Sequence, residues 1–169
     1  MTTMIKSINN IQDLLVMELG ELYSIEQQII EAMPQISQIA SSPELKQDLQ
    51  EHLETTKTQK QRLERIFGMM DLQPQVHEVK SFGQMLHEAQ QMLGMIEDPD
   101  VRDAALISAA QKVEHIEMAG YGSARSHALE ADLEEIAEIL QQTLDEAGEA
   151  DELLTDVAEG DVNVKASER

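Results

Sequence analysis

The sequence contains no cysteine, no tryptophan and very few other aromatic residues. Without cysteine, the chain can form neither disulfides nor thiolate sites for zinc or iron–sulfur clusters, so any metal would be bound by carboxylate and imidazole groups. A β-sandwich or barrel usually draws on aromatic and β-branched residues, whereas aromatics make up only 2% of this chain. The composition therefore favours a helical protein, and 169 residues suffice for one compact domain.

Basic residues are also scarce. Lys and Arg number 12 against 33 Asp and Glu, which gives a net charge of −21. Nucleic acid and anionic membranes are therefore unfavourable partners, because both attract basic surfaces. Such acidity is typical of a well-solvated surface, and it can also concentrate metal cations.

Long apolar runs are missing as well. No segment approaches the ~18 consecutive apolar residues of a membrane span, and residues 1–10 lack the apolar centre of a signal peptide. We therefore expect a cytoplasmic protein with no membrane association.

Apolar residues recur at helical spacing in four long segments. The helices predicted from them cover residues 8–39, 43–70, 99–128 and 133–158. Their expected N-terminal caps are Ser7, Ser42, Asp98 and Asp132. Pro43 and Pro99 directly follow two of these caps, at the first helical position that proline favours.

A shorter helix is predicted over residues 82–96, after a loop at residues 71–81. The resulting fold class is all-α, a four-helix bundle with a short extra helix between helices two and three. The long connection between those two helices favours a crossover over a simple up-down-up-down arrangement. Residues 1–158 are expected to form this bundle, and the polar residues 159–169 a flexible C-terminal tail.

Each of the four long helices directs an acid or a histidine toward its apolar face. Counting 100° per residue places Glu117 at the centre of the inward face of the third helix and Glu114 on its flank, whereas His115 points outward. His52 lies on the apolar stripe of the second helix. The acids beside the stripes of the first and fourth helices are Glu18, Glu26 and Asp151, with Glu146 about a quarter-turn off the face.

Converging buried carboxylates need compensation, because an unpaired buried carboxylate costs several kcal/mol. The chain has no Lys or Arg between Arg125 and Lys165 to provide it. Carboxylates with an imidazole are ligands suited to iron or manganese, and inward Glu with Glu or His three residues away is the geometry of dimetal carboxylate sites. The two interpretations are a metal site and a set of partly exposed or protonated acids.

Several segments resemble the YciE/YciF-like family of bacterial ferritin-like proteins. They are ELYSIEQQI, SPELKQDLQEHLE, RDAALISAAQKVEH, the YG at residues 121–122, the TLDE before Asp151, and VAEGDVNVKA. Together they extend over nearly the whole chain. The resemblance implies a ferritin-like four-helix fold with a carboxylate-bridged dimetal centre, in bacterial proteins associated with stress.

The resemblance also implies a set of metal-binding residues. They are Glu26, His52, Glu114, Glu117, Glu146 and Asp151, with Glu146 in a marginal position. Two positions depart from the family pattern, because Thr55 and Ala147 stand where relatives usually carry carboxylates. The site is therefore either an intact centre for two iron or manganese ions, or one that is weakened, reduced to one metal or lost.

The expected function is that of a stress-associated protein that binds iron or manganese in the bundle core, with ferroxidase or peroxide-detoxifying activity toward oxygen or peroxide. The alternative is a non-enzymatic helical stress or scaffold protein with a degenerate dimetal site. The expected assembly is a symmetric homodimer. Tyr23 and Tyr121 lie near the predicted site and are expected to be packing residues, the alternative being a role in electron or hydrogen-bond relays.

Overall fold

Asn10 begins the first helix. The structure, a computed structural model, describes residues 7–168. Helix α1 spans Ile11–Ile39, and the side chain of Asn10 accepts a hydrogen bond of 2.8 Å from the backbone N–H of Asp13. The prediction of Ser7 as the cap is wrong, because the helix begins where the apolar stripe begins and Ser7 stays outside it.

The two predicted helix starts that place a proline after a cap are confirmed. Helix α2 spans Pro43–Met69, and the Ser42 side chain accepts a hydrogen bond from the backbone of its first turn. Helix α4 spans Pro99–Glu130, and the Asp98 side chain accepts hydrogen bonds from two backbone N–H groups of its first turn. Proline costs nothing at this position, because its missing N–H would have had no partner inside the helix.

Helices α3 and α5 span Lys80–Met95 and Glu134–Val157. The predicted cap of α5 is wrong. Asp132 has a φ of 57°, which belongs to the end of α4, where the N–H of Leu133 bonds to the carbonyl of Ala128 at 2.9 Å. An N-cap has extended backbone, so Asp132 cannot both terminate α4 and cap α5.

Within residues 7–168, the four long helices form a closed ring. Helix α1 packs against α2 and α4, and α5 packs against the same two helices. Helices α2 and α4 therefore occupy opposite corners, and the segment that contains α3 carries the chain between them as a crossover. Helix α3 itself packs against α1 and α4. The predicted all-α four-helix bundle, with an extra helix between its second and third members, is confirmed.

Each long helix has one buried face and one exposed, polar face. On α1, for example, Leu15 and Leu19 are buried, whereas Glu31 and Gln35 are exposed. Among the helices of the described residues, none is both long enough and apolar enough to cross a membrane.

The interior of the bundle holds two apolar clusters. Representative members of the first cluster, one from each long helix, are Ile29, Leu49, Leu106 and Leu154. The corresponding members of the second cluster are Leu19, Leu63, Tyr121 and Leu140. Between these members along the helices lies a polar layer, formed by Glu26, His52, Gln59, Glu114, Glu117, Thr143 and Glu146. The fold therefore gathers polar side chains from all four long helices in the middle of the bundle.

The residues after Val157 are helical, including most of the segment from residue 159 that the sequence predicted as a C-terminal tail. They continue the fifth helix as a π-helical turn, Ala158–Val162, and a short helix α6, Asn163–Ser167. Val162 is buried in the first apolar cluster, together with Val157. This apolar face explains why an otherwise polar segment packs onto the bundle, where α6 contacts α4.

Candidate metal centre

Three glutamates of the polar layer are buried. The exposed fraction is 0% for Glu26 on α1, and 2% and 1% for Glu114 and Glu117 on α4. His52 on α2 is half-buried. The predicted inward orientation of these side chains is confirmed, and so is the outward orientation of His115, whose side chain is 64% exposed.

His52, Glu114 and Glu117 converge on one point. One potential ligand atom of each residue lies within 4.8 Å of the other two, and Nε2 of His52 is 3.3 Å from Oε1 of Glu114. Residues three positions apart on a helix face the same side, which lets both glutamates reach toward His52. Because α2 and α4 occupy opposite corners of the ring, this triad forms near the bundle axis.

Glu26 lies beside the triad and is held by a tyrosine. The buried hydroxyl of Tyr121 donates a hydrogen bond to Oε1 of Glu26. Tyr23 instead donates a hydrogen bond of 2.9 Å to Glu64, a half-exposed residue on α2. Of the two tyrosines expected near the site, Tyr121 therefore contacts the polar layer, whereas Tyr23 bonds away from it.

Several potential metal-ligand atoms of these four residues have no hydrogen bond of normal geometry to the described residues. They are Oε2 of Glu26, Nε2 of His52, Oε2 of Glu114 and both carboxylate oxygens of Glu117. Buried polar atoms in folded proteins nearly always have a partner, and leaving one without costs about 1–3 kcal/mol. Glu117 shares a side-chain hydrogen bond with Glu26 when it is protonated. The other carboxylate oxygens and the imidazole nitrogen converge without partners of normal geometry, a set that fits a divalent cation such as iron or manganese.

Burial shifts the pKa values of these groups. Loss of water, with the nearby negative charges of Glu26 and Asp151, raises the pKa of Glu114 to about 8. Burial raises the pKa of Glu26 to about 8 as well, despite the hydrogen bond from Tyr121. Burial and the charges of Glu26 and Glu114 raise the pKa of Glu117 well above its usual range.

The imidazole shifts in the opposite direction. Burial lowers the pKa of His52 to about 4, so the ring is neutral at pH 7 and its nitrogen can act as a metal ligand. A divalent cation would lower the pKa values of the three glutamates, because it favours their charged forms. The metal-free site is thus a set of acids held in an unfavourable environment that a cation would make favourable.

Glu146 has a cationic partner that the sequence pattern did not reveal. Nη1 and Nη2 of Arg62 donate to its two carboxylate oxygens at 2.6 and 2.7 Å, and Gln59 donates to the same group at 3.1 Å. Although partial burial raises the pKa of Glu146, these hydrogen bonds lower it overall. Gln59 could have been found from sequence, because it lies seven residues after His52 on the same helical face.

Asp151 and Glu18 lie outside the triad. Oδ1 of Asp151 is 3.5 Å from Nε2 of the exposed His115. Glu18, on the flank of the α1 stripe, pairs with Nδ1 of His127 at 2.6 Å. Asp151 therefore influences the site through its charge on Glu114, whereas Glu18 takes part in a separate hydrogen bond with His127.

At the two positions that depart from the family pattern, Thr55 and Ala147, the chain contributes no carboxylate to the site. Thr55 is half-buried on α2, and Ala147 is buried on α5 with 2% of its surface exposed. Of the six predicted ligands, the structure brings together His52, Glu114 and Glu117, with Glu26 next to them.

Comparison with known proteins places this chain in a family. Residues 10–167 match the family described as a domain of unknown function, DUF892. Protein YciF of Escherichia coli is 33% identical over 164 residues, which cover 96% of this chain and 99% of YciF.

Solved structures give the same relationship. YcfI of Rhodopseudomonas palustris, described as a proposed structural protein, shares 34% identity and a TM-score of 0.88 over 92% of this chain and 99% of its own. The crystal structure of the E. coli stress protein YciF gives 33% identity and a TM-score of 0.87 with the same coverage. A protein from Xanthomonas campestris shares the fold at 22% identity, with a TM-score of 0.76 over 94% of this chain and 98% of its own. The chain therefore belongs to the DUF892 family and is a YciF-like protein, as its sequence motifs predicted.

Proposed function

We propose that this protein binds iron or manganese through His52, Glu114 and Glu117, with Glu26 as a further ligand, and that it does so in a cytoplasmic stress response. The observation that carries the proposal is the convergence of buried donor atoms that lack normal hydrogen bonds. The E. coli relative YciF is described as a stress protein, which supports the physiological setting.

The charges of the site favour two ions of unequal affinity. Arg62 already neutralises Glu146. The remaining acids are Glu114 and Glu117 of the triad, with Glu26 and Asp151 next to it. When ionised they carry four negative charges, which two divalent cations would balance. The triad would hold the first ion, and the second would be held more weakly because Thr55 and Ala147 add no carboxylate.

The metal would supply redox chemistry toward oxygen or peroxide when bound, which is the basis of a ferroxidase or peroxide-detoxifying activity. The protein's own contribution is positional and electrostatic. Tyr121 fixes the orientation of Glu26, and the two apolar clusters enclose the polar layer. A low-dielectric surrounding strengthens the attraction between carboxylates and a cation. Because the three buried glutamates have raised pKa values, cation entry would release protons and would be favoured by high pH.

A second candidate function is non-enzymatic, with the chain as a structural or scaffold protein. Thr55 and Ala147 favour it because they weaken the donor set. YcfI, the relative from R. palustris, is itself described as a proposed structural protein. Either function is compatible with a symmetric homodimer.

Metal analysis of protein purified without chelators separates the two functions. Mass spectrometry should find at least one iron or manganese ion per wild-type chain. Glu117→Gln keeps the size of the side chain but removes its charge, so the variant should lose the metal. His115→Gln is the matched control, because His115 is exposed and its replacement should leave the metal content unchanged. A wild-type metal content no higher than that of Glu117→Gln would favour the structural role.

A further inference from the structure

A cavity of about 390 Å³ lies beside the polar layer, on the side of the first apolar cluster. Helices α1 to α5 all contribute to its wall, which is mainly aliphatic. Pockets of roughly 300–1,000 Å³ with such a lining are typical of sites for small organic molecules. The cavity is therefore large enough to be a binding site.

One end of the cavity is formed by residues of the candidate metal centre. His52 and Glu114 belong to both the wall and the triad, whereas Glu117 belongs to the triad alone. Glu114 is 2% exposed, and its Oε2 and Nε2 of His52 lack hydrogen bonds of normal geometry. An occupant of the cavity would thus have an apolar body along the wall and a polar group at this end.

The rest of the wall is adaptable. Met33, Met85 and Met92 contribute to it, and methionine side chains adjust easily to apolar surfaces of different shape. Two of these methionines lie on α3. Within the described residues, α3 packs substantially against α1 and α4 but not against α2 or α5. This wall suits a class of related apolar molecules better than a single rigid ligand.

The charges around the cavity disfavour a charged occupant. Besides Glu114, the wall includes the acids Asp48 and Glu88 and one cationic residue, the exposed Lys112. An anion would face an excess of negative charge, and any ionised head group would lose its hydration against the aliphatic wall. A neutral polar group, such as a hydroxyl, avoids both costs and can still hydrogen-bond to Glu114.

We propose that this cavity binds a neutral, mainly apolar molecule of about 10 to 17 non-hydrogen atoms, with its polar end against His52 and Glu114. We assign this molecule as the substrate of the metal centre, and that part of the proposal rests on the proposed function. Binding itself rests on the cavity, and the two can be tested separately.

The test is a fluorescence titration with N-phenyl-1-naphthylamine, a neutral probe whose emission rises in apolar surroundings, followed by displacement with 1-decanol. Wild-type protein should bind the probe saturably, and 1-decanol should displace it at a concentration roughly tenfold lower than decanoate or decylamine does. Ala110→Phe places a ring in the cavity and should weaken probe binding about tenfold or more. Ala119→Phe, on the exposed face of the same helix, should leave it unchanged.

Ala89→Phe fills the cavity from α3 and repeats the test independently of α4. Circular dichroism and melting curves would verify that each variant is folded. Absence of saturable probe binding, or equal binding by folded wild-type and cavity-filling variants, would overturn the proposal. Tighter displacement by decanoate or decylamine would overturn the neutral head group.

Glu117→Gln separates this proposal from the metal centre. It removes a ligand of the triad that does not line the cavity, so it should lose metal and keep probe binding. If wild-type protein binds the probe but no metal, the proposed metal function fails and the binding site remains. If it binds metal but no probe, the cavity is not a binding site and the proposed metal function remains.

Discussion

Replacement of Glu114 by Gln should stabilise the metal-free protein at high pH. Burial, with the charges of Glu26 and Asp151, raises the pKa of Glu114 from 4.5 to about 8 in the folded protein. The unfolded chain keeps the lower value, so the folded state binds more protons between these two pH values. Stability contributed at low pH is therefore lost as the pH rises through that window. Gln preserves the shape of the side chain but cannot ionise, so the variant does not lose this stability as the pH rises.

The size of the effect follows from the two pKa values. Their difference corresponds to about 5 kcal/mol once the pH exceeds the folded value. Rearrangement and water penetration reduce such penalties in real proteins, so we expect about 2 kcal/mol at pH 8.5. In a chain of this size, 1 kcal/mol changes the melting temperature by about 2–4 °C, and the variant should therefore melt about 4–8 °C higher. At pH 5 the difference should shrink below about 1 kcal/mol.

The assay is thermal unfolding of chelator-treated wild-type and Glu114→Gln protein at several pH values between 5 and 9. Glu146→Gln is the matched control. It leaves Arg62 without its carboxylate partner and should lower stability by about 1–2 kcal/mol, the opposite sign. If wild-type stability does not fall between pH 6 and 8.5, or if both variants are destabilised, burial does not disfavour the ionised form of Glu114.

Three further predictions follow from the same site. Millimolar Mn(II) should raise the melting temperature of wild-type protein by mass action. Glu117→Ala should abolish this rise, and His115→Ala should keep it. An unchanged wild-type melting curve would exclude metal binding. Tyr121→Phe removes the hydroxyl that bonds to a buried glutamate and should destabilise the metal-free protein by about 1 kcal/mol. Calorimetry should also show weaker Mn(II) binding by this variant, whereas equal affinity would contradict a positioning role. Thr55→Glu combined with Ala147→Glu should increase the number of bound ions and speed Fe(II) oxidation, while destabilising the metal-free protein; a wild-type protein that already binds two ions with equal affinity would contradict the weakened second position.

The orientation of the polar residues could be predicted because each long helix has a single apolar stripe. Once that stripe is buried, helical geometry alone fixes that Glu114 and Glu117 point inward and His115 points outward. The same reasoning placed Glu26 and His52 in the interior, and the structure confirms both as at least half-buried. Strong local signals, such as proline after a capping residue, also determined where α2 and α4 begin.

Features that depend on two distant segments could not be predicted in this way. Arg62 and Glu146 are 84 residues apart, and a helical count treats one helix at a time. The cavity depends on how side chains of five helices fill the space between them, which no single stripe determines. The prediction that Asp132 caps α5 was wrong because aspartate, a common capping residue, also suits the left-handed backbone that ends the preceding helix.

Anomalous diffraction from crystals grown with Mn(II) tests the central claim most directly, since it locates the ion itself. We expect the strongest anomalous peak between His52, Glu114 and Glu117, and its loss in crystals of Glu117→Gln. A peak found only at surface acids, or no peak within reach of these three side chains, would contradict the account.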